Sequence, residues 1–190
     1  MADLPKPYKM IVDFATGRQL PDVGAEANRQ AVERFLVQEK GYEKADIEVD
    51  VDIAFEVAGE SYRSQLDLVV SVVSGREAVR YMVVKCAPGA LGSCVRETVS
   101  AARLLDRHQI PLACVSNGRE AIVVDTITGK TTGRGLQAIP SRMEAITAMS
   151  DTPLLPYPTD RLEREKLIFR TYNCEYVNVA RNLPSEAPPE

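Results

Sequence analysis

Two residues stand out chemically in this chain: an acid, Asp67, and a base, Lys85, each set inside an apolar run. Around the first, the even positions Leu66, Leu68, Val70 and Val72 are all apolar, while the odd positions are Gln65, Asp67, Val69, Ser71 and Val73. Around the second, Met82, Val84 and Cys86 alternate with Tyr81, Val83 and Lys85. Successive side chains of a strand point to opposite faces, so the even residues turn to the core and Asp67 shares the other face with Lys85. The Ser74-Gly75-Arg76 turn joins the two runs, and keeping their apolar faces together requires paired residues of equal parity. Two registers fit: Asp67 opposite Lys85, or Asp67 opposite Val83 and diagonal to Lys85. Upstream, Ile47, Val49, Val51, Ile53, Phe55 and Val57 alternate with Glu48, Asp50, Asp52, Ala54 and Glu56. Burying the odd residues of that strand puts Asp50 or Asp52 opposite Asp67.

Facing carboxylates repel unless a cation sits between or beside them. A divalent metal and Lys85 would each serve. One reading is a phosphodiester-hydrolysing site, in which Asp67 with Asp50 or Asp52 holds Mg²⁺ and the ammonium stabilises developing charge. The other is a partly buried Asp67–Lys85 ion pair, with Asp50 and Asp52 as solvated charges on an exposed strand face.

The elements that position these groups follow from periodicity and turn signals. A lead-in over residues 1–24 contains a strand-like run, Tyr8 to Phe14, and the Thr16-Gly17 turn. Ala31, Val32, Phe35 and Leu36 mark an amphipathic helix over 25–40 that Gly41 stops. Strands over 47–57, 62–73 and 79–86 form an antiparallel meander. A helix over 93–107 follows, with Val95, Val99, Ala102 and Leu105 or Leu104 on its apolar face, and strands over 112–116 and 121–125 flank the Asn117-Gly118 turn. Ser141-Arg142-Met143-Glu144 is a capping box opening a short helix to about Met149. After Pro153, Pro156 and Pro158, residues 160–172 read as a further helix. The expected layout is a lead-in (1–24), a core domain (25–140), a helical arm that docks on a second copy to form a homo-dimer (141–182) and a disordered tail (183–190). The segments Val12-Asp13-Phe14-Ala15-Thr16-Gly17-Arg18 and Val124-Asp125-Thr126-Ile127-Thr128-Gly129-Lys130 echo each other as strand-plus-turn units.

The 190 residues, 45% hydrophobic and 26% charged, fit one soluble domain and exclude a largely disordered chain. No apolar run reaches bilayer length or resembles a secretory signal, so the expected location is cytoplasmic, with no membrane partner. A net charge of −4 gives no global attraction to polyphosphate. Its distribution is uneven: residues 41–60 carry seven acids against one lysine, residues 61–107 seven Lys/Arg against four acids. A DNA-facing surface would therefore draw on the second stretch, with Arg63, Arg80, Arg96 and Arg103, beside Arg76 and Arg107, as phosphate contacts or simply a solvated polar face. Cys86, Cys94 and Cys114 with His108 are a conceivable zinc set, but lacking Cys-x-x-Cys spacing they read as buried thiols.

The pieces Glu26-Ala27-Asn28-Arg29-Gln30, Gly41-Tyr42, Tyr62-Arg63-Ser64-Gln65-Leu66-Asp67-Leu68-Val69-Val70, Met82-Val83-Val84-Lys85 and Ser116-Asn117-Gly118 resemble the N-terminal nuclease-like domain of type I restriction enzyme R subunits, a branch of the PD-(D/E)XK superfamily. The resemblance covers about Glu26 to Pro140. It implies an α/β, restriction-endonuclease-like fold: a mixed central sheet beginning with a three-stranded antiparallel meander and flanked by helices. It also implies Mg²⁺ as cofactor, DNA as substrate and other restriction-system subunits as partners. Asp67 and Lys85 map onto the family's metal-binding acid and lysine, but the second acid position is Val83, which cannot bind Mg²⁺. The branch's Gln and Tyr on the next helix correspond to Glu97 and Ala101. A degenerate, catalytically impaired nuclease-like module is the leading expectation. The alternatives are an endonuclease whose acid is relocated to Glu97, Asp52 or Asp50, and a protein-interaction domain on the same scaffold. Glu26 is a further ligand candidate by the resemblance. It points about 150° from the centre of its helix's apolar stripe, so an acid complementing the helix dipole is the plainer reading.

Overall fold

The computed structural model describes residues 9–75, 77–151 and 153–173. A two-stranded hairpin, β1 (Met10–Val12) and β2 (Gln19–Pro21), precedes helix α1 (Glu26–Gln38). Strands β3 (Ile47–Val57), β4 (Glu60–Ser74) and β5 (Glu77–Cys86) form the expected meander. Helix α2 (Leu91–Leu104) then crosses over to β6 (Leu112–Ser116), which pairs parallel to β5. A parallel pair requires such a crossover, and among the described residues this is the only parallel pairing in the sheet. Strands β7 (Ala121–Asp125) and β8 (Thr131–Arg134) complete a six-stranded mixed sheet in the order β3-β4-β5-β6-β7-β8. Helices α3 (Arg142–Asp151) and α4 (Leu162–Tyr172) follow. This is the α/β, restriction-endonuclease-like architecture that the sequence led us to expect. Among the described residues no helix is long and apolar enough to cross a membrane.

Helices cover both sheet faces. Val32 and Leu36 of α1 with Ala145 and Met149 of α3 pack on Leu68, Val70, Met82 and Val84, while Val99 and Ala102 of α2 with Phe169 of α4 pack on Val69, Val83, Ala113 and Val115. Expected even-odd sorting thus holds for β4 from Leu68 onward and for β5 from Met82 onward, but Tyr81, expected on the face of Val83 and Lys85, joins the α1 side with Val79. The sorting also breaks in β3, where Ile47 and Val49 join the α1 side but Val51, Ile53 and Phe55, of the same parity, join the α2 side. The cause lies between them: Asp50 has φ 55°, and this left-handed residue reverses the alternation. Leu66 likewise joins the α2 side, unlike Leu68. The uniform odd-inward face expected for this strand is therefore corrected to two half-faces meeting beside Asp67.

Register is corrected in a second place. Near the turn Val72 pairs with Val79 and Val73 with Ala78, in both cases partners of unequal parity, and a shift between Val70 and Ser71 restores equal parity at Val70↔Met82 and Leu68↔Val84. One bulge residue thereby returns the apolar faces to alignment. Other differences are local. The lead-in is a hairpin rather than a single strand, and β8 had no sequence signal in its Thr131-Thr132-Gly133-Arg134 run. The arm packs on its own chain through Phe169 and Ala145. The expected tail, 183–190, lies outside the described residues, as do Tyr8, Arg76 and Cys174.

The paired Asp-x-x-Thr-Gly echoes fold alike. Asp13 Oδ1 accepts from the Thr16 N–H and hydroxyl at 2.6 and 2.7 Å, and Asp125 Oδ1 from those of Thr128 at 2.7 and 2.6 Å. The capping box also forms, with Ser141 N–H donating to Glu144 at 2.7 Å. At the Asn117-Gly118 turn, Gly118 has φ +80° and a Cβ there would lie 2.7 Å from the Cβ of Ala31 on α1. Gly59, at φ +79°, has open space around it. Gly118→Ala is therefore expected to lower stability by about 2–3 kcal/mol and Gly59→Ala by about 1, measured by urea unfolding.

Candidate functional site

Strands β4 and β5 and helix α2 bring three charged side chains into one buried site. One step beyond Leu68↔Val84 in the ladder, Asp67 stands level with Lys85. The Lys85 Nζ lies 3.8 Å from Asp67 Oδ2 and 3.2 Å from Glu97 Oε1. Asp67 Oδ2 also accepts the Cys86 backbone N–H at 2.8 Å. All three are buried, at 1% (Asp67), 6% (Lys85) and 2% (Glu97) exposure. Burial pulls the Lys85 ammonium down, but the attraction of Asp67 and Glu97 outweighs it and holds the group above its ordinary value. The walls are Leu66, Val83, Val84, Thr98 and Ala101, and the free space is about 10 Å³, room for no more than one water.

Those donors do not fit a metal ion in this arrangement. Val83, two residues before Lys85 on β5, is buried and packed in the α2-side core and offers no ligand atom. The ammonium of Lys85 stands beside both carboxylates, where a divalent cation would need them. Among the described residues no group of three or more His, Cys, Asp or Glu is arranged to hold a metal, and this covers Asp67, Asp52, Asp50 and Glu26 as well as Cys86, Cys94, Cys114 and His108. The three cysteines are buried, and burial pushes the Cys114 thiol up to about 12.

The other sequence candidates are scattered. By the β3–β4 register Asp50 is the residue level with Asp67, at the break in the ladder, while Asp52 pairs with Gln65 and accepts its side-chain amide at 3.0 Å. Asp52 is exposed. Arg80 is engaged with Glu48 through two bonds of 2.9 Å, Arg96 donates to the Tyr172 hydroxyl at 2.8 Å, and Arg103 donates to Thr126 O and to Glu165. Arg63 is exposed on β4.

Glu26 stands in the first turn of α1, as the dipole reading has it, and among the described residues it joins no group arranged to hold a metal. It is 1% exposed and binds Arg29 and Gln30 within a second buried cluster that the apolar periodicity of α1 did not reveal. There the Arg29 guanidinium contacts Asp13 at 2.7 Å and Glu33 at 2.8 Å, and Gln30 donates to Asp13 at 3.1 Å. The Glu33 carboxylate and the Gln30 amide oxygen accept from the backbone of Ala15 and Phe14, so the cluster fastens the lead-in turn to α1. The available signal was the spacing of Glu26, Arg29, Gln30 and Glu33, which share one helical face. Burial raises the Glu33 carboxyl to about 7 against the pull of Arg29.

A helix, a three-stranded meander, a crossover helix and a parallel strand, with an acid and a lysine on adjacent central strands, define a restriction-endonuclease-like domain. The chain belongs to the family of the type I restriction enzyme R protein N terminus, whose model matches residues 24–140, more than half of its length. No curated protein and no solved structure matches it significantly.

Two stability measurements check this electrostatic picture. Lys85→Met leaves two buried carboxylates without their cation and is expected to cost about 3–5 kcal/mol, part of which Asp67→Asn in the same chain restores, read by urea denaturation. Glu33 is an acid whose folded value is raised, so its contribution is fully present below about pH 4.5 and is lost as the pH rises through about 7. Unfolding midpoints of Glu33→Gln should show that decline flattened relative to the parent chain.

Proposed function

We propose that this chain is a degenerate restriction-endonuclease-like module of the PD-(D/E)XK kind that associates with nucleic acid and no longer cuts it. One observation carries the reading: Lys85 sits between Asp67 and Glu97 in a site with about 10 Å³ of free space, beside a valine at the second acid position. A hydrolytic site must admit a phosphodiester and a water, and must aim its cation at charge that develops in the transition state. Here the ammonium is matched to protein carboxylates already in the ground state, which leaves little differential stabilisation for a reaction. Membership in the R-subunit family supports nucleic acid as the partner and other restriction-system subunits as neighbours. Exposed Arg63 and Arg107 provide cationic contacts that no buried cluster has absorbed.

A second reading has its own observation. Glu97 stands at 3.2 Å from Lys85, so helix α2 does deliver an acid to the site. If side chains rearranged to admit Mg²⁺, Asp67 and Glu97 would be its ligands and Lys85 the charge stabiliser of an endonuclease. Supercoiled plasmid separates the two readings. Under the lead reading it stays intact with Mg²⁺ or Mn²⁺. Nicking that Asp67→Ala, Glu97→Ala and Lys85→Ala each abolish would establish the second. For the association itself, neutralising two phosphates predicts about a tenfold loss of DNA affinity between 50 and 200 mM salt. No binding at low salt would leave the scaffold as a protein-interaction domain.

A further inference from the structure

The two edges of the six-stranded sheet are finished differently. β8 is four residues long, and Ala138 lies against it so closely that a Cβ on Gly133 would stand 2.6 Å from the Ala138 Cβ. β3, at the other edge, runs for eleven residues. Beyond the left-handed Asp50 its register with β4 is continuous, from Val51↔Leu66 to Val57↔Glu60. A strand paired on one side only turns alternate N–H and C=O groups outward. Among the described residues no backbone hydrogen bond joins 51–57 to anything but β4. Long edges are commonly blunted with proline, with lysine or by a covering element, and 51–57 contain neither proline nor lysine.

The side chains of this edge say what would join it. Val51, Ile53 and Phe55 belong to the α2-side core, Ile53 buried and the other two half-buried. Asp52, Ala54 and Glu56 alternate with them and are exposed. Asp52 accepts the neutral Gln65 amide at 3.0 Å, and among the described residues neither Asp52 nor Glu56 is ion-paired. A second copy of β3 does not fit. An antiparallel pair centred on Ala54 sets Asp52 opposite Glu56, one centred on Ile53 sets Asp50 opposite Glu56, and like charges directly opposite are destabilising. A strand that fits carries cations opposite Asp52 and Glu56 and apolar residues opposite Val51, Ile53 and Phe55, where they extend the apolar layer.

We propose that residues 51–57 are a docking edge for an extended basic segment of another protein, which pairs with β3 and sets Lys or Arg opposite Asp52 and Glu56 with β-branched residues at the alternate positions. Main-chain hydrogen bonds supply the affinity of such an added strand and alternate side chains its specificity. The edge serves this partner whether or not the acid–lysine site meets nucleic acid.

The probe is a fluorescein-labelled peptide, Val-Lys-Val-Thr-Val-Lys-Val, whose side-chain order is the same in both directions, titrated with full-length protein at low salt and followed by anisotropy. Saturable binding is expected, weakened about tenfold or more when both peptide lysines become glutamate. Asp52→Lys with Glu56→Lys should reverse that preference, so that the glutamate peptide binds the better. Backbone pairing is read on the parent protein, which needs no variant to fold. Of two peptides N-methylated on alternate amides, the set that faces β3 loses binding and the set that faces solvent keeps it. No saturable binding, equal binding of the lysine and glutamate peptides, or equal effects of the two methylation patterns would overturn the proposal. So would exchange protection of every 51–57 amide in the protein alone, which would put a second copy on the edge if it rises with protein concentration and the protein's own chain there if it does not.

Discussion

An ammonium inside a sheet survives only where carboxylates stand beside it, and carboxylates that close to one another survive only with the ammonium. That mutual requirement binds β4, β5 and α2 together around Asp67, Lys85 and Glu97. It fixes the register at the centre of the sheet, since a one-residue slip would send Asp67 into the α1-side core. It also accounts for the irregularities nearby. The left-handed Asp50 and the shift between Val70 and Ser71 both adjust strands whose apolar faces must align while this charged group is kept on the α2 side.

The Arg29 cluster follows the same logic with one more acid. One guanidinium faces Asp13, Glu26 and Glu33, and burial with the neighbouring carboxylates raises the Glu33 carboxyl to about 7 against the pull of Arg29. The two buried clusters lie on elements at opposite faces of the sheet: one ties the lead-in turn to α1, the other ties α2 to the meander. A third carboxylate, Glu165, sits where α4 meets α2. Burial raises its carboxyl, but Tyr157, Ser100 and Arg103 together bring it below its ordinary value, so it is charged and fully engaged. Polar specificity thus comes from one cation shared among acids at the first two junctions and from one acid satisfied several times over at the third.

Much of this was legible in residues 41–125. Strict alternation over 47–57 gave a strand with the observed bounds, and the shared face of Asp67 and Lys85 followed from parity alone. The Asp-x-x-Thr-Gly echo was legible too, because its hydrogen bonds are local. What escaped was non-local. Alternation assumes every residue is extended, so a single positive φ at Asp50 was invisible. A helical wheel weighted by apolarity looks past Glu26, Arg29 and Glu33, whose burial depends on a partner, Asp13, from another element. Arginines counted as a cationic surface proved to be held by Glu48, Tyr172 and Glu165, acids and rings distant in the chain. Strand β8, short and rich in Thr and Gly, carries no apolar pattern because it pairs at the edge of the sheet.

The central claim is that Lys85 occupies electrostatically the place a metal would take between Asp67 and Glu97. Thermal unfolding of the full-length chain in EDTA and in rising Mn²⁺ tests it most directly. A site occupied at a hundredfold its dissociation constant stabilises by about 2.7 kcal/mol, several degrees for a chain of this size. The account predicts a midpoint that does not move with Mn²⁺. A saturable rise that Asp67→Asn removes would contradict it.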